Sequence, residues 1–272
     1  MAKKEIYAAS GIIYDPKTEK IESPIGSIPA LLTNGNSKIG KGVFHFSTLP
    51  GDKEYSANIN GVTYDVLGTC AGTCSGCYGM TGNYRYQSTI DSLAIRTVIA
   101  RDYLAFCKMA INAQIQAESI KTIRIHATGD FFSKAYLETW IEIVKENPGV
   151  TFWTYTKETA AESAFDPFPN ANIVKSNVPM IDGVKSETAG YNYGHIDYVL
   201  AMYDFLQTFG KSVYICRCGI DKNQHCTNCT ACAKCDHVLF IEHSTGYKAE
   251  KDPLYNKAVE VIESQDKRFI NN

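Results

Sequence analysis

Nine of the ten cysteines in this chain lie in two short runs. The first is Cys70-Ala-Gly-Thr-Cys74-Ser-Gly-Cys77, a C-x3-C-x2-C loop. The second is Cys216-Arg-Cys218 followed by Cys226-x2-Cys229-x2-Cys232-x2-Cys235. Thiolates this close along the chain converge on one metal centre more readily than they form unstrained disulfides with one another. The start, Met-Ala-Lys-Lys-Glu, has no apolar stretch behind it, so no secretory signal is expected. In the reducing cytoplasm that this implies, such runs are metal or redox sites.

Three thiolates from one loop suit a [4Fe-4S] cluster whose fourth iron is left open for a substrate or cofactor. Small residues and two glycines let that backbone wrap tightly. A closed structural zinc site needs a fourth protein ligand, so a zinc knuckle completed by a distant His or Cys is the alternative. The second run is closer to the ferredoxin spacing, in which one ligand comes from elsewhere in the chain. An auxiliary [4Fe-4S] cluster is expected there on Cys218, Cys226, Cys229, Cys232 and Cys235, with Cys216 or Cys218 as the outlying ligand. Zinc is the alternative at this run. Cys107 lies inside a helical pattern and reads as an inert buried cysteine.

Other side chains have the chemistry to serve such a centre. Asp130 stands at the end of an expected strand, placed to bind an amine or act as a base, or else to cap the next helix. His126 could be a base or ligand from the same strand, although a lone strand histidine is more commonly a hydrogen-bonded core residue. Lys157 either orients an anionic substrate or is a solvated strand end. Tyr78, Tyr84, Arg85 and Tyr86 follow the first loop and could stack on a planar ligand, or simply pack.

The elements that must position these residues alternate. Residues 1–60 are rich in Gly, Ser, Pro and Asn and read as short strands and loops packed on the rest. A strand over 61–67 feeds the first cysteine loop. Ser88 and Asp91 open a helix running to about Ala117, with Ile95, Ile99, Tyr103, Phe106 and Ala110 on one face. Then come a strand over 122–129, a helix capped by Ser133 and stopped by Asn147-Pro-Gly149, and strands over 150–155 and 172–175. A helix from about Asp197 ends before Gly210, a strand over 212–215 enters the second cysteine run, and 237–241 is a last strand before a closing helix near Pro253. Strands alternating with helices predict a parallel α/β sheet, open or curled into a barrel. The division expected is 1–60, an α/β core over 61–211, and a cysteine-rich C-terminal region over 212–272. The second run, returning at a strand end, is expected near the first.

The C-x3-C-x2-C loop after a strand resembles the signature of radical S-adenosylmethionine (SAM) enzymes. The next strand ends in Ala127-Thr-Gly-Asp-Phe-Phe132, which resembles their glycine-glycine-glutamate motif. Ile125-His-Ala-Thr-Gly-Asp130, then Tyr155-Thr-Lys157, and the C-terminal cysteines are also similar to the gene product 88 family of phage proteins, over roughly residues 60–240. The radical SAM resemblance implies a partial (β/α) barrel with the cluster at its C-terminal mouth. It also implies SAM held near Tyr78, Thr128, Gly129 and Asp130. Two positions depart from that pattern: Gly76 replaces an aromatic residue before the third cysteine, and Asp130 brings a shorter carboxylate.

At 272 residues, with 44% hydrophobic and 21% charged, the chain is a globular protein rather than a disordered or fibrous one. A net charge of -2 provides no basic field for nucleic acid, and no apolar run is long enough for a membrane span. The leading expectation is an iron–sulfur enzyme of radical-SAM type acting on a small molecule or polymer, with an electron donor as partner. A hydrolase (esterase-like) or hydro-lyase using the open iron as a Lewis acid, with Asp130 or His126 as base, is the alternative. A non-enzymatic electron-transfer or nucleic-acid-binding metalloprotein is the third.

Overall fold

A computed structural model describes residues 2–36, 39–72, 77–176, 193–221, 223–242 and 247–269. Its principal sheet has five strands in the order Ala171–Lys175, Thr151–Thr156, Thr122–Ile125, Phe44–Phe46 and Thr33–Asn34. The first four run parallel, and Thr33–Asn34 closes the edge antiparallel to Phe44–Phe46. A second, three-stranded parallel sheet has the order Tyr193–Gly194, His237–Ile241, Val213–Cys216. The hairpin Glu54–Ile59/Val62–Leu67 and the antiparallel meander Tyr14–Asp15, Lys20–Ser23, Gly26–Pro29 complete the strands described. Among the described residues the ladders form two separate parallel sheets and no closed barrel.

Alternation along the strands decides which face each cysteine run meets. Ile123, Ile125, Phe44, Phe46 and Phe152 point to one face, where Cys107, Ala110, Ile111, Trp140, Ile143 and Val144 bury them. Those partners come from the helices Leu104–Ala117 and Lys134–Glu146. Each fully buried large apolar side chain in that layer contributes about 1.5–3 kcal/mol. The opposite face carries Trp153 and Ala127, which pack with Ile39, Val43, Cys226 and Cys232. The cysteine-rich segment therefore covers one face of the sheet, and the helices cover the other.

Several expectations are corrected. The single helix over 88–117 is two helices, Gln87–Asp102 and Leu104–Ala117, broken at Tyr103 where φ is -137° and ψ is 50°. The break lets the two segments serve different cores: Leu93, Ala94 and Val98 pack on the hairpin, and Cys107, Ala110 and Ile111 on the main sheet. Residues 1–60 are not a mere covering, because Phe44–Phe46 is an internal strand of the principal sheet. They also contain a helix, Lys3–Ala9, that composition did not reveal. The boundary at 211 falls inside a unit, since helix Ile196–Thr208 packs its Val199, Met202 and Leu206 against Val213, Ile215, Leu239 and Ile241. The closing helix, Tyr255–Phe269, adds Ala258 and Ile262 to that core. No helix among the described residues is long and apolar enough to cross a membrane.

Candidate metal centres

The first cysteine loop is anchored where the main strands end. Beyond Phe46 the chain continues extended, and Thr48 N–H donates to the Thr128 carbonyl at 3.1 Å. Thr69 N–H donates to Leu49 O at 2.9 Å and Cys70 N–H to Gly51 O at 3.0 Å, so Cys70 is held at the C-terminal end of this strand. Thr69 also bonds through its hydroxyl to Leu49 O (3.0 Å) and to the Thr48 hydroxyl (2.8 Å). Gly129, at φ +84°, lies directly over these two hydroxyls, and a Cβ there would collide with both. The Thr-Gly-Asp motif thus lets the chain ending one strand touch the loop leaving its neighbour. Gly79, two residues past Cys77, packs under Thr128 and Pro50 in the same way.

Cys70 and Cys77 are half-buried. Both lie near Tyr55, whose hydroxyl donates to Pro50 O at 2.9 Å. Burial, reinforced by these two thiols, pushes the Tyr55 phenol up to about 12. Cys74 and the Gly76 position lie outside the described residues, as does the side chain of Tyr78.

The carboxylate of Asp130 is occupied by its own fold. Its Oδ1 accepts from Phe131 N–H (2.8 Å) and the Thr156 hydroxyl (2.5 Å), and its Oδ2 from Lys157 N–H (3.0 Å). Burial pushes its pKa above the ordinary carboxylate range, against the pull of these three bonds. Asp130 therefore ties the ends of two parallel strands together, and the helix cap is Ser133, which accepts from Tyr136 N–H at 3.2 Å. Thr128 is buried and donates to Thr48 O at 2.9 Å. Lys157 is exposed and meets Asp130 through its backbone.

His126 is placed away from this end, in the aromatic core. It is 2% exposed, lies among Phe131, Tyr136 and Trp140, and bonds Tyr136 Oη through Nε2 at 2.8 Å. Its φ of +58° turns the chain off the strand, so its side chain leaves the strand alternation that would have aimed it at the cysteines. Burial, with Arg124 adding repulsion, lowers its pKa to about 3, and it is neutral at physiological pH.

The second run surrounds a cavity of about 120 Å³, lined by Cys216, Cys218, Cys226, Cys229 and Cys232 together with His225. That is roughly eight times the volume a single water requires, room for a multi-atom group. The floor is the sheet face at Val43, Thr122, Thr151 and Trp153. Val43 precedes its strand, Thr122 and Thr151 begin theirs, and Trp153 lies within Thr151–Thr156. The cavity thus meets the sheet face at Val43, Thr122, Thr151 and Trp153, while Cys70 is held where the chain leaves the far end of Phe44–Phe46. Cys216 borders the cavity, and Cys235 is buried with Val174, Tyr214, Ala231 and Val238 in a cluster against which Cys216, Cys229 and Cys232 also pack.

The nine described cysteines are all outside disulfides. Among the described residues no three His, Cys, Asp or Glu side chains converge tightly enough to hold one metal ion. The thiols ring a volume instead, close enough that they raise one another's pKa. Burial pushes Cys226 up to about 11 and raises Cys229 and Cys232 as well. Cys216 is raised first by its hydrogen bond with Cys218 and then by burial. At neutral pH these thiols stay protonated until a cation compensates them. Their soft donors have the chemistry of an iron–sulfur site, whereas a single zinc ion needs a tighter convergence than the described residues show. Cys232 Sγ lies 2.7 Å from Tyr155 Oη, and the Arg124 guanidinium stacks 5.0 Å from the Tyr155 ring centre. Arg124 favours the thiolates of Cys226 and Cys232. Arg217 also lines the cavity, but its charge is shared with Asp266 at 2.6 Å and Asp221 at 3.5 Å.

Sequence reasoning did not single out His225, Tyr155 or Arg124 as parts of this site. Alternation along Arg124 and Tyr155, which share a face with Trp153, was the available signal for two of them.

This is an α/β protein with one cysteine-lined cavity and one cysteine-bearing strand-end loop. The Gene product 88 family model matches residues 30–238, and the chain belongs to that family. It is 50% identical over 42 residues to the Gene 88 protein of Mycobacterium phage L5, covering 15% of this chain and 18% of the relative. Against the Gene 88 protein of Mycobacterium phage D29 it is 31% identical over 72 residues, covering 26% of this chain and 27% of the relative. The chain thus aligns with only about a quarter or less of the length of these relatives. No solved structure matches it.

Proposed function

We propose that this protein is an iron–sulfur protein acting in the reducing cytoplasm of a phage-infected cell. In this reading Cys216, Cys218, Cys226, Cys229 and Cys232 supply the ligands of an enclosed auxiliary centre. The reading is carried by one observation, that five thiols border a single cavity large enough for a multi-atom group. The loop bearing Cys70, Cys74 and Cys77 would hold a [4Fe-4S] cluster with an open iron. Its anchoring at the C-terminal ends of parallel strands, where α/β folds place their ligands, supports an enzymatic role there. An open iron of this kind supplies either reductive chemistry on a bound cofactor or Lewis-acid polarisation of a substrate.

The second of these, a hydrolase or hydro-lyase, is favoured over radical SAM chemistry by Asp130. Both its oxygens are taken by Phe131, Thr156 and Lys157, so it is not offered to the amino group of SAM. His126 is buried with aromatic neighbours and does not serve as the base in this reading.

The test is iron, sulfide and zinc content of anaerobically purified protein, with electron paramagnetic resonance before and after adding SAM. About eight irons per chain support two [4Fe-4S] centres. A spectrum altered by SAM would restore the radical reading, and an unaltered one supports the Lewis-acid reading. Zinc without iron overturns the iron–sulfur proposal.

A further inference from the structure

Burying a hydrogen-bonding nitrogen without a partner is costly, so such an atom beside a cavity calls for an explanation. Nδ1 of His225 is one: it is buried and makes no hydrogen bond, and the residue lines the cavity of the five thiols. The buried Nδ1 of His126 also makes none, but that residue sits among aromatic rings with no thiol-lined space beside it.

The backbone around His225 is held against the cavity by contacts independent of the imidazole. Cys218 Sγ donates to Gln224 O at 3.4 Å, and Gln224 Nε2 donates to His225 O at 3.0 Å. Thr227, two residues on, donates to Lys41 O at 2.8 Å. On the other side the chain presses on Gly40, where a Cβ would stand 2.8 Å from His225 Cβ. A glycine at φ +81° makes room for the histidine there.

We infer that His225 is a metal ligand of this cavity, binding through Nδ1, so that the centre has a mixed thiolate and imidazole donor set. The inference rests on the reading of the cavity as a metal site and concerns which atoms hold the metal. Coordination through Nδ1 requires the neutral tautomer with the proton on Nε2. Five thiols and one imidazole exceed the four positions of a single zinc ion, so this donor set suits a polynuclear centre with donors to spare. The imidazole also adds no negative charge to a site where thiolates already repel one another.

The test is X-ray absorption at the edge of whichever metal the purified full chain carries, on wild type, His225→Ala and His225→Gln. One light scatterer at about 2.0 Å beside sulfur at about 2.3 Å, lost in both variants, is the expected result. Pulsed electron paramagnetic resonance adds a second readout if the centre contains iron: imidazole nitrogen coupling in the wild type, absent in His225→Ala. Metal affinity by chelator competition is expected to fall about 10- to 100-fold in His225→Ala. All-sulfur coordination in the wild type, unchanged in the variants, overturns the inference while leaving the metal site standing. Wild-type protein without metal in this cavity, shown by unchanged metal content in Cys226→Ala/Cys229→Ala, overturns the metal reading itself. Circular dichroism of each variant separates ligand loss from unfolding.

Discussion

Acid should destabilise this protein through His126, by an amount its burial determines. The imidazole has an ordinary pKa of 6.5 and is lowered to about 3 in the fold, chiefly by burial. The unfolded chain therefore binds a proton between these values that the folded chain does not. Stability is lost as pH falls through this window and is constant above it. At about 1.4 kcal/mol per unit of separation, the loss between pH 7 and pH 5 is about 2 kcal/mol, rising toward about 5 kcal/mol below pH 3. His45, lowered to about 4 by burial and by Arg96 and Arg124, adds a similar loss of about 2 kcal/mol over the same step. The perturbation that isolates His126 is His126→Asn, because asparagine tolerates the φ of +58° found there. Loss of the bond to Tyr136 lowers stability by about the same amount at every pH. The pH-dependent part of the difference between the two proteins is therefore assigned to the imidazole. Urea unfolding at pH 7 and pH 5, compared at constant slope, should show wild type losing about 2 kcal/mol more than the variant. Equal losses in the two proteins would refute the claim that His126 is held neutral in the core.

Three further outcomes follow from the same geometry. Gly129→Ala forces a side chain at φ +84° onto the Thr48 and Thr69 hydroxyls; the backbone strain alone is about 1–2 kcal/mol, and the thermal midpoint should fall by several degrees. Tyr155→Phe removes the hydroxyl 2.7 Å from Cys232 Sγ; metal stoichiometry should be kept while chelator competition shows about 10- to 100-fold weaker binding. Because burial holds Cys226, Cys229 and Cys232 protonated, each thiol that ligates releases a proton; apparent affinity should fall about tenfold per thiol for each pH unit lowered, read by titration at pH 6 and pH 7.

The cysteine spacing marked both regions of interest without any fold, because ligands from a short loop must be close in space whatever surrounds them. Most strands and helices were legible for a similarly local reason. Alternation revealed Thr122–Ile125 and Thr151–Thr156, Ser133 showed itself as a cap, and Gly210, at φ +67°, showed where a helix ends. The break at Tyr103 was not legible, since no Pro or Gly marks it and the two halves differ in the cores they pack against. Nor was the membership of Phe44–Phe46 in the main sheet, because its parallel partner Thr122–Ile125 is more than seventy residues away. The Thr-Gly-Asp motif was visible as a motif, yet its chemistry depended on Thr156 and Lys157 closing over Asp130. The place of Cys216 on the cavity, and the presence of His225 and Tyr155 beside the thiols, came only from tertiary packing. Spacing says which side chains can meet, but the sheet face on which the segment lies selects which of them do.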